Sequence, residues 1–413
     1  MTLSVSEVAD IQRRTLRVLV LGQVAGSAAL AAAVTVGAFV VQEILGQKTP
    51  WGGIASATVT MGTAIMAQVL ARRMSGSGRR SGLVLGYTLA IAGGLFAGWG
   101  VERQSLAMFL IGLFFFGNGQ AANLLSRYAA TDLALPAERG RAMSRILFAS
   151  TFGAVFGPLL IQPAQELGVA LFGWRQYTGP WVFAGLFFLT SLVNALMRLR
   201  PDPLHVQREL AEVPLGDVPR AGFREMFSVL RQSRLAQLAF GSMAISQSTM
   251  VAVMTMTPVH LKEHGYESLS QFVISLHIAG MFAFSPLVGK FSDRRGRLAT
   301  IMVGSGLTIG ATTLAALSGE SATLLFPALW LLGIGWSFGL IGGSSLLVDA
   351  IPADLRIRTQ GTADLLMSGC GALAGFSSGF IRSAVGYHVL ALSSLGFAAV
   401  LLAWATWRMA VVD

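Results

Sequence analysis

The chain has 413 residues, of which 54% are hydrophobic and only 12% are charged, and its mean hydropathy is +0.64. A soluble domain carries about 25% charged residues, so the composition excludes an ordinary soluble protein and indicates one built for a lipid bilayer. The formal net charge of +10 would suit nucleic-acid binding, but the positions of the basic residues favour membrane topology instead. The single cysteine, Cys370, excludes an intrachain disulfide and argues against a cysteine metal site; we expect no metal and no other cofactor.

Apolar runs long enough to cross a membrane recur along the whole chain. A hydrocarbon core about 30 Å thick takes around 20 apolar residues per helix, and backbone groups inside it must be satisfied internally. We predict twelve membrane-spanning helices, at about 16–42, 51–71, 82–101, 105–127, 143–163, 180–198, 235–260, 269–290, 299–318, 322–348, 360–381 and 387–409. The first run is too long for the apolar part of a signal peptide, so we expect it to remain in the protein.

The basic residues lie mainly on one side of these spans. If the amino terminus is in the cytoplasm, only five of the 30 Lys and Arg residues lie on the far side of the membrane, namely Lys48, Arg103, Arg175, Lys262 and Arg382. Cytoplasmic loops are enriched in Lys and Arg. We therefore predict a multi-pass protein of the cytoplasmic (inner) membrane with both termini in the cytoplasm. Its partner is the lipid bilayer, and we expect no nucleic acid.

One long connection divides the spans six and six. It predicts an amino-terminal six-helix bundle over 1–198, a cytoplasmic linker over 199–234 and a carboxyl-terminal six-helix bundle over 235–413. Within the linker, residues 222–234 alternate apolar and basic side chains at helical spacing. Either an interfacial helix on the inner leaflet or a solvated connection fits this segment.

The two halves also match each other in sequence. The matching pairs are Gly117 with Gly333, Gly119 with Gly335, Pro136 with Pro352, Gly153 with Gly371 and Gly157 with Gly375. Several matches in nearly one register indicate an internal repeat. Two parallel halves of this kind are the organisation from which rocking transporters are built.

Residues 289–297, between the eighth and ninth spans, read Gly-Lys-Phe-Ser-Asp-Arg-Arg-Gly-Arg. This stretch resembles the signature loop of the major facilitator superfamily, G-x-L-A-D-R-x-G-R. The matching positions are Gly289, Asp293, Arg294, Gly296 and Arg297. The resemblance covers the whole chain and implies an all-α membrane protein with twelve transmembrane helices in two pseudo-symmetric six-helix bundles.

The same loop is a candidate gate. Glycine permits a tight turn, and Asp293 can accept hydrogen bonds from Arg297 and from the amino-terminal end of a neighbouring helix. The resemblance places the loop beside the start of the fifth span, which carries Arg141 and Arg145. The alternative is that this basic turn serves topology alone.

Other family motifs are incomplete. The first-half copy of the loop, at 67–82, keeps Gly78 and Arg79 but contains no acid. In the fifth span, Gly153, Gly157 and Pro158 resemble the core of a motif of exporting antiporters, although ordinary packing of small residues explains them equally well. The buried arginine that the family often carries in the fourth span is absent.

The resemblance implies a central cavity lined by the first, fourth, seventh and tenth spans. Polar and adaptable side chains on these spans are candidate substrate ligands, because amides orient a substrate while Met side chains re-pack around variable shapes. They are Gln23, Asn118, Gln120, Asn123, Arg127, Gln247, Met250, Met254 and Trp336. The alternatives are interhelical or lipid contact for the methionines, and extension of Arg127 to the cytoplasm.

Ionisable residues deep in the spans are few. A charge in mid-membrane is costly, so each one is a functional hypothesis. His277 and Asp364 are the candidates for ion coupling. The alternatives are a packing role for His277 and, for Asp364, an acid favoured at the start of a helix.

These features favour a secondary active transporter that moves a small amphiphilic organic compound, as an exporter or antiporter coupled to protons. The alternatives are uptake of a metabolite and an amphiphile facilitator without ion coupling. No motif of an intramembrane enzyme or a nucleotide-binding domain is present, so we expect neither an enzyme nor an ATP-driven pump. We expect the protein to be a monomer.

Overall fold

A computed structural model describes residues 4–45, 54–211, 223–266 and 269–412. Within these ranges the chain forms helices and no strands. The helices are α1 (Val5–Leu45), α2 (Ile54–Ser77), α3 (Arg79–Glu102), α4 (Leu106–Ala129), α5 (Arg139–Leu159), α6 (Ile161–Phe172), α7 (Gly179–Arg198), α8 (Pro203–Leu210), α9 (Phe223–Gln232), α10 (Arg234–Glu263), α11 (Ser270–Phe282), α12 (Ser285–Arg295), α13 (Arg297–Ala316), α14 (Leu325–Ala350) and α15 (Ala353–Val412). A short 3₁₀ turn at Pro136–Glu138 precedes α5.

Nine helical segments in the described part of the chain are long and apolar enough to cross a membrane. One of them, Thr359–Ala410, has 52 residues and is interrupted at Gly386, where φ is 87° and ψ is 166°. It therefore supplies the last two predicted spans. Helices α1 and α5 occupy the two remaining predicted positions.

Two helical segments extend beyond the predicted spans. The first helix begins at Val5, well before the span predicted at about 16–42, because hydropathy marks apolar residues and not a polar helical extension. After a break at Leu160, α6 continues to Phe172, beyond the span predicted at about 143–163. Gly173 then ends α6 in the left-handed conformation, with its N–H bonded to the Val169 carbonyl.

The eighth predicted span is also divided. Helix α11 ends at Phe282 and α12 begins at Ser285. Pro286 lies in the first turn of α12, where its missing N–H removes no helical hydrogen bond. The loop at 289–297 is consequently helical through Arg295 and turns only at Gly296.

The chain folds into two compact units. Unit 1 contains Met1–Ala134, Ala149–Arg220 and Gln360–Leu365, and unit 2 contains Leu135–Phe148, Ala221–Thr359 and Leu366–Asp413. These units differ from the predicted bundles in two short segments, 135–148 and 360–365. Each segment contains part of a helix whose remaining residues lie in the other unit.

In unit 1, helix α4 packs against α2 and α3 through glycines. A Cβ atom at Gly117 would lie 2.4 Å from the Val59 carbonyl oxygen, and one at Gly112 would lie 2.4 Å from the Ala97 nitrogen. Only glycine allows the backbones to approach this closely. The fourth span is therefore fixed against two neighbours, and this fixes the direction of its polar side chains.

In unit 2, α14 is the central helix, and 83% of its most apolar stretch is buried. It packs against α10, α11 and α13. A Cβ atom at Gly333 would lie 2.3 Å from the His277 carbonyl oxygen, so α11 and α14 are also in close backbone contact.

The internal repeat is visible in the backbone of each unit. Gly78, before α3, has φ 87° and ψ 163°, while Gly296, before α13, has φ 90° and ψ 166°. Side chains rarely adopt this conformation, and glycine adopts it freely. The same turn thus joins two successive spans in both halves.

Candidate functional site

A buried charge pair lies in unit 1. The Arg127 guanidinium donates to Asp364 Oδ1, and these side chains are only 1% and 0% exposed, respectively. Arg127 also donates to the Tyr128 hydroxyl at 3.0 Å and to the Leu124 carbonyl at 2.9 Å. Its guanidinium carbon lies 4.4 Å from the centre of the Tyr128 ring. Arg127 therefore does not extend to the cytoplasm.

The two oxygens of Asp364 have different surroundings. Oδ1 accepts from Arg127 and, at 3.4 Å, from the Tyr128 hydroxyl. Oδ2 is buried and has no hydrogen-bond partner among the described residues. A buried acceptor without a partner is unfavourable, so Oδ2 is a chemically suitable position for a proton.

A second polar group surrounds Gln23 and Asn123. Gln23 donates to Ser150 Oγ at 2.8 Å and accepts from Ser126 Oγ at 3.0 Å. The Tyr87 hydroxyl donates to Asn123 Oδ1 at 3.1 Å. These side chains are buried, so two of the predicted substrate ligands already hold neighbouring helices in place.

The other two polar residues of α4 are separate from these bonds. Asn118 is fully buried and donates to the Phe115 carbonyl at 2.7 Å, within its own helix. Gln120 is half-buried. Gln120, Asn123 and Arg127 are spaced to share one face of α4, but they do not form one hydrogen-bond network among the described residues.

A second buried ion pair was missed by sequence analysis. Arg79 donates through Nε and one terminal nitrogen to the two oxygens of Asp132, both at 2.8 Å, with the side chains 0% and 3% exposed. It also donates to Gln360 Oε1 at 3.2 Å. The first-half loop contains no acid, but Asp132 supplies one from the segment after α4. The repeat gave no exact signal, since its register places Asp132 opposite Val348, one residue before Asp349.

In unit 2, Asp293 holds the start of α5. Its Oδ1 accepts from the Gly140 N–H at 2.9 Å and from Arg297 at 2.7 Å, and its Oδ2 accepts from the Arg141 N–H at 2.8 Å. The carboxylate is 2% exposed. It therefore satisfies free N–H groups at a helix start.

Arg297 extends this contact. It pairs with Asp349 at 3.1 Å and donates to the Pro136 carbonyl at 2.7 Å. Asp349 also accepts from Arg139 at 2.5 Å. Close packing needs two glycines, because a Cβ atom at Gly140 would lie 2.8 Å from Asp293 Oδ1 and one at Gly289 would lie 2.3 Å from Ser144 Oγ.

Two residues predicted for the gate lie outside this cluster. Arg145 and Arg294 are exposed, and neither pairs with Asp293 among the described residues. The reason is helical geometry, since Arg145 lies one turn beyond Arg141. The Arg141 Nε lies 3.5 Å from Asp293 Oδ2, so Arg141 alone supplies the predicted side-chain pairing from α5.

The predicted substrate ligands of unit 2 include one direct pair. Trp336 donates from its indole nitrogen to Gln247 Oε1 at 2.7 Å. Met250 is buried on the same helix as Gln247, and Met254 is half-buried. The structure thus joins the aromatic and amide groups of α14 and α10.

His277 lies at the interface of α11 and α14. Its ring Nδ1 is 2.7 Å from the Leu329 carbonyl oxygen, which fits a proton on Nδ1. Its Nε2 is buried and has no partner among the described residues. The ring is therefore oriented by one hydrogen bond, while its second nitrogen is shielded from solvent.

Comparison with known proteins gives the class of the chain. A family model described as Major Facilitator Superfamily matches residues 18–375. The chain is 35% identical over 404 residues to an uncharacterized MFS-type transporter, YddS of Bacillus subtilis, covering 96% of this chain and 91% of the relative. It is 27% identical over 394 residues to the riboflavin transporter RfnT of Brucella anthropi, with 92% of each covered.

Solved structures agree in fold. The human organic anion transporter MFSD10 superposes with a TM-score of 0.75 at 17% identity, covering 95% of this chain and 99% of that one. The Escherichia coli fucose:proton symporter FucP gives 0.73 at 15% identity, covering 95% and 98%.

The chain belongs to the major facilitator superfamily. It is a multi-pass membrane transport protein with the twelve-span, two-half fold of that family. The predicted family and fold are confirmed, and the protein is not an enzyme.

Proposed function

We propose that this protein is a secondary active transporter that moves a small amphiphilic organic compound by alternating access, as an exporter driven by protons. The observation that carries the proposal is the Arg127–Asp364 pair, buried in unit 1. A buried ion pair contributes little net stability to a fold, because the cost of desolvating the two charges offsets their attraction. A role in function accounts for its presence better.

Asp364 is the proposed proton carrier. Protonation at Oδ2, the oxygen without a described partner, would neutralise the carboxylate and weaken its pairing with Arg127. The segment 360–365 would then be held less firmly, and release of the proton would restore the pair. His277 is the second candidate, since it is an ionisable side chain buried among the helices of unit 2 and its Nε2 has no described partner.

The substrate would contact the amide, aromatic and thioether groups of α1, α4, α10 and α14. Among the described residues, the spans offer few buried charges beyond the paired ones, which favours a neutral or amphiphilic compound over a strongly charged one. In the same cycle, Asp293 would hold the start of α5 in the state closed to the cytoplasm and release it in the state open to the cytoplasm.

Uptake of a metabolite is the second candidate, and one relative is a transporter of a metabolite, although its name gives no direction. The similarity to a riboflavin transporter makes a flavin a reasonable test substrate, since its ring system is planar and amphiphilic. The partial Gly153, Gly157 and Pro158 motif supports export instead. Direction therefore needs to be measured with both orientations of the gradient.

The test is transport in liposomes that contain the purified protein. Riboflavin and a panel of amphiphilic dyes would be followed with an imposed pH gradient in each direction and with no gradient. Proton-driven accumulation, lost in the Asp364→Asn protein, is the expected result. Equal flux without a gradient would contradict coupling and favour a facilitator of amphiphiles.

We further propose that the protein resides as a monomer in the cytoplasmic membrane, with both termini in the cytoplasm. The distribution of basic residues supports this orientation. The segment at 222–234 contains α9, Phe223–Gln232, and an interfacial position for that helix stays a prediction; residues 212–222 of the linker lie outside the described residues.

A further inference from the structure

A groove of about 1000 Å³ lies within unit 1, between the end of α2, the start of α3, the end of α7 and α8. One end is basic, since Arg73, Arg80 and Arg200 line it. Val84 and Leu85 follow Arg80 by about one turn of α3, and Leu196 precedes Arg200 by four residues, so these apolar side chains lie toward the opposite end. The groove is thus amphipathic along its length.

The basic end carries charge that is available to a ligand. Arg73 and Arg200 are exposed and Arg80 is half-buried. No acidic side chain in the described part of the chain forms an ion pair with any of the three. Arg79, by contrast, is buried and occupied by Asp132.

The acid nearest to these arginines is already in use. Asp202 accepts from the backbone N–H groups of Arg79 at 3.1 Å, Arg80 at 2.8 Å and Leu204 at 3.0 Å. Its charge is therefore largely balanced by the starts of α3 and α8. The other acid of the groove, Glu209, is exposed.

The walls of the groove are held in place. Asp202 ties the segment after α7 to the start of α3, and Arg208 of α8 donates to the Ser75 carbonyl at 2.8 Å. The first part of the predicted linker is consequently packed against the bundle. A ligand would meet a preformed site.

We propose that this groove binds an anionic phospholipid of the inner leaflet, with its phosphate at the three arginines and an acyl chain along the apolar end. Leu196 is 42% exposed, and the neighbouring Met197 of α7 is 67% exposed, so the apolar end continues onto a face suited to hydrocarbon. Basic pockets between membrane helices on the cytoplasmic side bind such head groups. A soluble phosphate would have no use for the apolar end.

The experiment is native mass spectrometry of the full-length protein with added phosphatidylglycerol or phosphatidylcholine. The wild-type protein should retain phosphatidylglycerol preferentially. The triple variant Arg73→Gln, Arg80→Gln, Arg200→Gln should lose affinity for it on the order of 100-fold, because each arginine near an anionic lipid contributes about fivefold.

A charge-matched control removes the same number of arginines elsewhere, at Arg72, Arg294 and Arg295, which are exposed and do not line the groove. This control should bind phosphatidylglycerol as the wild-type protein does, and thermal unfolding should show that both variants fold. Equal loss in the control would overturn the proposal, because binding would then depend on overall charge.

Competition with inorganic phosphate separates a lipid site from a simple anion site. An excess of phosphate should leave phosphatidylglycerol bound, and Leu85→Gln should weaken the lipid. Displacement by phosphate, or a Leu85→Gln protein that binds as well as the wild type, would overturn the proposal. The measurement concerns binding alone, so its outcome is independent of whether the protein exports, imports or couples to protons.

Discussion

Two buried arginines dominate the electrostatics of unit 1 at the scale of residues. Arg127 pairs with Asp364 and Arg79 pairs with Asp132. Both pairs are buried, so removing one partner leaves a charge without compensation, whereas removing both leaves neutral groups. This asymmetry makes the pairs testable one side at a time.

Arg127→Gln should lower the stability of the protein by about 3–5 kcal/mol, because Asp364 would remain buried without its cation. The double variant Arg127→Gln, Asp364→Asn should recover most of this loss. Thermal unfolding in detergent measures both. Arg13→Gln, which removes an exposed pair with Asp10, should change the midpoint little. A double variant no more stable than Arg127→Gln would show that the pair is not the cause.

Asp364→Asn should abolish transport driven by a pH gradient while substrate binding stays measurable, since Asn cannot carry the proton. His277→Gln should have the same effect if histidine shares the task. Liposome flux and equilibrium binding are compared for each protein. Wild-type flux in both variants would leave proton coupling without a carrier among these candidates.

At the scale of elements, close contacts between helices determine the direction of the polar side chains. A Cβ atom at Gly93 would lie 2.4 Å from the Phe116 nitrogen, where α3 meets α4. Backbone cannot yield as the end of a flexible side chain can. The position of α4, and with it of Asn123 and Arg127, therefore depends on glycines on its neighbours.

Gly93→Ala should destabilise the protein by about 1–3 kcal/mol, the usual penalty of overpacking. The matched control is Gly310→Ala in α13, where a Cβ atom would have no neighbour within 4 Å. This control should be neutral or stabilising by up to about 1 kcal/mol, because alanine favours helix more than glycine does. Thermal unfolding that ranks the two variants in the opposite order would contradict this view of the α3–α4 contact.

At the scale of the whole molecule, two short segments, 135–148 and 360–365, belong to a different unit from the rest of their helix. Carboxylate or amide side chains take part in the contacts of both segments. The start of α5 is bound by Asp293, and residues 360–365 contain Gln360 and Asp364. A transporter that alternates between two states needs contacts that can form and break. These segments are the natural place to look for them.

Asp293→Asn should shift the protein towards the state open to the cytoplasm. Asn would present a donor where the carboxylate now accepts from two backbone N–H groups, and it would weaken the pair with Arg297. A loss of about 1 kcal/mol shifts a balanced equilibrium about fivefold. This shift is measured by the distance between two spin labels, one in the connection between the second and third predicted spans and one in the connection between the eighth and ninth.

The control for that experiment is Asp10→Asn, which neutralises an exposed acid near the amino terminus. Its distance distribution should equal that of the wild type. An unchanged distribution in Asp293→Asn as well would mean that the loop serves topology and not gating.

The orientation in the membrane can be tested with single cysteines in a Cys370→Ser background. Ser77→Cys should react with impermeant reagents only from the cytoplasm, and Ser321→Cys only from outside; both serines are exposed. Gln104, between the third and fourth predicted spans, is on the same predicted side as Ser321 but is less suitable for labelling, because it has φ 51° and donates to Glu43 at 3.0 Å. Labelling of Ser77→Cys by an impermeant reagent added to intact cells would show that the predicted orientation is wrong.

The sequence alone determined the class of the protein, since hydrophobic length and the loop at 289–297 are local properties of the chain. It also indicated Asp293 and Arg297, which are four residues apart in the chain. It could not provide Asp132 for Arg79, or Asp364 for Arg127, because those partners are 53 and 237 residues apart. Only tertiary packing brings such side chains together, and only that packing pairs Asp364, already a candidate from the sequence, with Arg127 and leaves its Oδ2 without a described partner.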